Sequence, residues 1–67
     1  MMSYNKLWKC LIDRKISKTE FRLAAGLGTT TLAKLGKNEA VNAETIEKIC
    51  KYLRVQPGDI MEWNDDE

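Results

Sequence analysis

The sequence predicts an all-α fold: five short helices, the last a brief one, in a single compact domain spanning residues 1–67. Three observations carry this. Apolar residues recur at spacings of three and four, the period of a helix with one buried face. Ser, Gly, Asn and Pro fall between these segments, where helices start or stop. No segment alternates apolar and polar residues as a half-buried strand does.

Ser3 is a cap for a first helix from about Tyr4 to Arg14 or Lys15. Tyr4, Leu7, Trp8, Leu11 and Ile12 form its apolar stripe, with Trp8 in the core and Cys10 off the centre of the stripe. Its two terminal cations suit the negative end of a helix. "ISKTEF" then opens a second helix, Lys18 to Ala25. Ser17 is its cap, Glu20 stands at the capping-box spacing, and Ile16 is placed to staple against Phe21. Gly26 ends it in the left-handed conformation.

Leu27 tucks under the turn, and a third helix begins near Gly28 or Thr29. At about 100° per residue, Thr29, Thr30, Ala33, Lys34 and Lys37 share one face. Leu32 and Leu35 lie opposite, and Thr31 points partly inward. Capping needs only Thr29 or the glycine before it, so the other threonines call for a further explanation. Asn38 closes this helix in the left-handed region. Asn42 caps a fourth helix with the stripe Ile46, Ile49, Cys50 and Leu53. Pro57 starts the short fifth, which carries Ile60, Met61 and Trp63. The expected core is Leu7, Leu11, Phe21, Leu27, Leu32, Leu35, Ile46, Ile49 and Leu53.

Composition narrows the function. There are no histidines, no metal-ligand cluster and no glycine-rich phosphate loop, which argues against an enzyme and against a cofactor. Cys10 and Cys50 fall inside helical patterns and read as reduced structural thiols. No apolar run is long enough for a membrane span or a signal peptide, so a soluble cytoplasmic protein is expected. The formal net charge of +1 hides an asymmetry: residues 1–58 hold all eleven Lys and Arg and carry +6, while the acidic end, 59–67, carries −5. A basic body suits a polyanion partner.

Two short helices joined at Gly26-Leu27-Gly28 have the spacing of a helix-turn-helix, whose second helix enters the DNA major groove. The outward face of the third helix has suitable chemistry. Thr hydroxyls donate or accept, Thr methyls pack on thymine methyls, and Ala33 keeps the face flat. Thr29, Thr30 and Lys34 are the base-reading candidates, near the end of the helix that meets base edges. Lys18, Arg22, Lys37 and Asn38, at the flanks, are the phosphate candidates.

The stretch "SKTEFRLAAGLGTTTLAKLGKN", with its core at 18–38, resembles the two-helix element of the Cro/cI-type (XRE-like) helix-turn-helix regulators. Phe21, Ala25, Leu27, Leu32 and Leu35 match the family's apolar positions, and Gly26 matches the glycine of its turn. "NAETIEKICKYLRVQPGDIM" resembles the following helix and the short last one. The resemblance covers about residues 4–62 and is closest to small stand-alone members. Two positions depart from the pattern. Lys18 replaces a phosphate-gripping Gln, and Arg22 replaces a small residue at a helix crossing, so its guanidinium is expected to turn outward.

The resemblance implies a compact five-helix, lambda-repressor-like domain in a sequence-specific DNA-binding transcriptional regulator. It further implies a homodimer acting as a repressor on a palindromic operator in double-stranded DNA. Ile60, Met61 and Trp63 are the candidate dimer surface, Trp63 fitting the core edge equally well. No small-molecule ligand is evident. The rival reading is a protein-binding helical module, such as an antitoxin or anti-repressor.

Overall fold

The computed structural model describes residues 2–63. Asp65, Asp66 and Glu67 of the acidic end lie outside the described residues. In chain order the elements are β1 (Met2–Ser3), α1 (Asn5–Asp13), α2 (Lys18–Ala25), α3 (Thr29–Gly36), α4 (Ala43–Leu53), a 3-10 turn (Pro57–Asp59) and β2 (Glu62–Trp63).

The helix starts follow from local chemistry. Ser17 Oγ accepts from the Glu20 N–H at 3.0 Å, and Asn42 Oδ1 accepts from the Thr45 N–H at 2.8 Å. Each satisfies one of the donors that a helix start leaves open. In α1 the helix begins one residue later than Ser3 alone suggests. Tyr4 takes the cap position, and Ser3 Oγ accepts from the Asn5 N–H at 3.3 Å.

The helix ends share one device. Lys15, Gly26, Asn38 and Arg54, just past α1 to α4, all have positive φ, between 58° and 75°. In each case the next residue's N–H returns to a carbonyl five positions back: Ile16 to Leu11, Leu27 to Arg22, Glu39 to Lys34, and Val55 to Cys50, at 2.9–3.1 Å. This closure satisfies end carbonyls and reverses the chain within a residue or two. Ile16, Leu27 and Val55 thereby turn toward the interior. Across the bundle, Arg14 Nη1 donates to the Leu53 carbonyl at 2.7 Å, a cation on the negative end of α4.

Seven of the nine expected core side chains are buried: Leu7, Leu11, Phe21, Leu27, Leu35, Ile49 and Leu53. Leu32 and Ile46 are half-buried at the edge of the same cluster, as is Trp8. The Phe21 and Tyr52 rings meet at 6.2 Å between centroids, joining α2 to α4. Tyr4 and Ile60 complete the core at 1% and 0% exposure. Ile12 does not follow its stripe: it is 73% exposed, because the narrow interior is filled by the Leu7–Leu11 edge of α1.

The five-helix expectation needs correction. Among the described residues four α-helices form, and the expected fifth is only the three-residue 3-10 turn. Pro57 starts it as expected and the Gln56–Asp59 capping box secures that start, with the Gln56 N–H donating to Asp59 Oδ2 at 3.0 Å, but it stops after one turn. Ile60 then turns inward and the chain extends. Glu62 and Trp63 pair antiparallel with Ser3 and Met2, and Lys6 Nζ approaches Glu62 Oε1 at 3.6 Å. Ile60 is therefore a core residue and is removed from the dimer surface.

Two consequences for stability can be measured by urea denaturation. Ile49→Ala is expected to cost about 2–5 kcal/mol, and Leu32→Ala, half-buried, distinctly less. Lys15→Gly and Arg54→Gly are each expected to add about 1 kcal/mol, because glycine removes the left-handed penalty of a side chain.

Candidate nucleic-acid interface

α2, its exit and α3 form one continuous device. Gly26, at φ 75°, reverses the chain, and the buried Leu27 pins the turn to the core. Gly28 sits at the cap of α3 in extended conformation (φ −81°, ψ 165°), and no side chain caps that helix. None of the three threonines is engaged as its cap.

The rotation of α3 matches the expected one. Thr29, Thr30, Ala33, Lys34 and Lys37 are exposed, Thr31 and Leu32 half-buried, and Leu35 fully buried. One side of the helix is thus packed, and the other offers two hydroxyls, three methyls and two ammonium groups to solvent.

The flanking candidates divide. Lys18 is exposed at the first turn of α2, with Nζ 4.8 Å from the centroid of the Trp8 ring. Arg22 is half-buried, so it does not turn fully outward as expected. Asn38 has structural work: its Oδ1 accepts from the Tyr4 N–H at 3.2 Å, while its own backbone makes the left-handed exit of α3. Among the described residues, none of Lys18, Arg22, Lys34 and Lys37 is paired with a carboxylate. Their charge is uncompensated at close range.

Two residues that sequence reasoning did not connect to this device support it. Tyr4 holds the exit of α3 from both sides, its backbone N–H on Asn38 and its hydroxyl donating to the Glu39 carbonyl at 2.9 Å. Burial raises the pKa of this phenol, partly offset by a backbone hydrogen bond at Val41, so the hydroxyl stays a donor across the neutral range. Trp8 lies beneath Lys18. No spacing rule links either pair, since both contacts cross between elements.

The cysteines lie apart from this face. Cys10 and Cys50 are free and half-buried. Burial, and then the Asp59 carboxylate, push the Cys50 thiol above its ordinary value, away from the reactive thiolate. Among the described residues no three His, Cys, Asp or Glu side chains cluster as a metal site. No helix there is long and apolar enough to cross a membrane.

The family model for the Cro/C1-type HTH DNA-binding domain matches residues 6–66. The chain belongs to the Cro/C1-type helix-turn-helix family. This Cro/C1-type domain is 42% identical over 59 residues to the uncharacterized HTH-type transcriptional regulator YozG of Bacillus subtilis (strain 168), an alignment covering 85% of this chain and 70% of the relative. It is also similar to the crystal structure of the transcriptional regulator VanUg, with TM-score 0.88 and 54% identity over 91% of this chain and 81% of that one. α2 and α3, joined at Gly26–Gly28, both lie within the residues that the family model matches.

The two turn glycines separate backbone from side-chain effects. A Cβ at either meets nothing within 4 Å, yet only Gly26 has positive φ. Gly26→Ala is expected to cost about 1–2 kcal/mol from conformation alone. Gly28→Ser, at a true cap position, is expected to gain roughly a few tenths of a kcal/mol. Thermal melts of the two variants check the contrast.

Proposed function

We propose that this DNA-binding transcriptional regulator acts as a repressor, a homodimer laying one α3 into each half of a palindromic operator. The observation that carries this reading is the exposed Thr29–Lys37 face of α3, set on a rigid turn and free of any capping duty. Thr29, Thr30 and Lys34 read base edges, since the N-terminal part of such a helix comes nearest to them. Lys18, Arg22 and Lys37 meet phosphates and set register. Asn38 joins them through its amide N–H groups, its oxygen already being engaged by Tyr4.

Twofold binding suits a domain this small, because one copy buries limited surface on DNA and a palindrome matches a twofold protein. With Ile60 in the core, half-buried Met61 and exposed Trp63 remain for contact with a second copy. Sedimentation velocity of the protein, free and on DNA, is expected to show a dimer on DNA. A monomer in both states removes the dimer.

A protein-binding module is the second reading, and one feature favours it. An open groove of about 780 Å³ runs beside α4, with Val41, Ile46, Cys50, Val55 and Met61 among its lining. The two readings part in a gel shift against the DNA around the protein's own gene. Retarded DNA that loses affinity with salt supports the first, and no retardation at low salt supports the second.

Mutations sort the contacts. Lys18→Ala is expected to weaken binding to all DNA and flatten the log K against log salt slope by about 1 per protomer. Thr30→Ala is expected to leave that slope unchanged and cost about 1–3 kcal/mol of discrimination at one base position. If both variants bind like the parent, α2 and α3 do not read DNA.

A further inference from the structure

Lys18 occupies an awkward place for a cation. It is the first residue of α2, at the positive end of the helix dipole, where negative charge is favoured. No carboxylate among the described residues pairs with it. Its partner is Trp8, a half-buried ring packed against the core, whose centroid lies 4.8 Å from Nζ. Indole is the best of the aromatic faces for holding a cation.

We propose that Trp8 is a positioning residue for DNA binding: its ring holds the Lys18 ammonium at the head of α2, ready for a phosphate. The proposal rests on the reading of Lys18 as a phosphate contact. A carboxylate would fix the same side chain but cancel the charge that releases counterions from DNA. An aromatic face fixes it and leaves the full positive charge. The ring engages one side of the ammonium, and the remaining N–H donors stay available. Ordering the flexible stem before DNA arrives lowers the entropic cost of binding. Trp8 itself touches no phosphate in this scheme; it acts through Lys18.

The test has two arms. In the free protein, NMR is expected to show the Lys18 side-chain methylene protons shifted upfield by the Trp8 ring current, with the shift lost in Trp8→Leu. In the second arm, affinity for a random-sequence duplex at low salt is measured for Trp8→Leu, Trp8→Phe, Lys18→Met and the Trp8→Leu/Lys18→Met pair. Trp8→Leu is expected to weaken binding about two- to fivefold, the cost of ordering the Lys18 stem on the DNA instead of beforehand. Trp8→Phe is expected to recover part of this, and Trp8→Leu to cost nothing further once Lys18 is Met. Circular dichroism melts check that each variant is folded, and Trp8→Phe keeps the aromatic core contact should Trp8→Leu unfold. An absent ring-current shift overturns the proposal. So does an equal loss from Trp8→Leu in the Lys18→Met background, or unweakened binding by Trp8→Leu. If the shift is present but Lys18→Met binds like the parent, the phosphate assignment of Lys18 has failed, and the role of Trp8 fails with it. The arm without DNA tells these failures apart.

Discussion

Everything in this fold depends on stopping helices abruptly. Four helices of eight to eleven residues share one small core, so the chain must reverse without long loops. It does so by placing one residue after each helix in the left-handed region and returning the next N–H to the helix. Only one of the four positions is glycine. At Lys15 and Arg54 the backbone carries a conformational penalty that the inward turn of Ile16 and Val55 offsets through burial. The angle between α2 and α3 is set by the same device at Gly26, with Leu27 as its anchor.

The electrostatics of the α2–α3 surface point the same way as its shape. Ordinary surfaces mix charges of both signs, and their ion pairs contribute little to stability. Here, among the described residues, Lys18, Arg22, Lys34 and Lys37 have no acidic partner, and Lys6 with Glu62 is the one ion pair. Cations left without a carboxylate keep their full charge for a polyanion. Asn38 and Tyr4 show the complementary principle: a residue beside α3 is spent on fixing its exit. Rigid placement matters for any surface that reads a partner by hydrogen bonds, which tolerate little misalignment.

Much of the fold was legible because helical periodicity reports burial directly. Leu7, Leu11, Phe21, Leu35, Ile49 and Leu53 could be found by spacing alone, and Ser17, Asn42, Gly26 and Pro57 by their backbone chemistry. Tyr4 and Ile60 were harder, since both lie outside the α-helices and owe their burial to tertiary packing. Strands of two residues carry no periodic signal, so the pairing of Met2–Ser3 with Glu62–Trp63 left no mark in the sequence. Lys15 and Arg54 gave no sign of the left-handed turn at their helix exits, because neither residue type favours that region. At the candidate face, the outward phase of α3 followed from periodicity, but the contacts of Lys18 with Trp8 and of Asn38 with Tyr4 join separate elements. No local pattern encodes them.

The small sheet has a topological meaning beyond its size. By placing Met2 opposite Trp63 it brings the two ends of the described chain together, so the backbone is close to a ring. Closing so long a loop costs only slowly more entropy than closing a short one, and the buried Tyr4 and Ile60 flank the seam. The order of helices around a ring has no privileged starting point. A chain joined across the seam and reopened at the exposed Ala40, between α3 and α4, would meet the same core, with α2 and α3 still one uninterrupted segment.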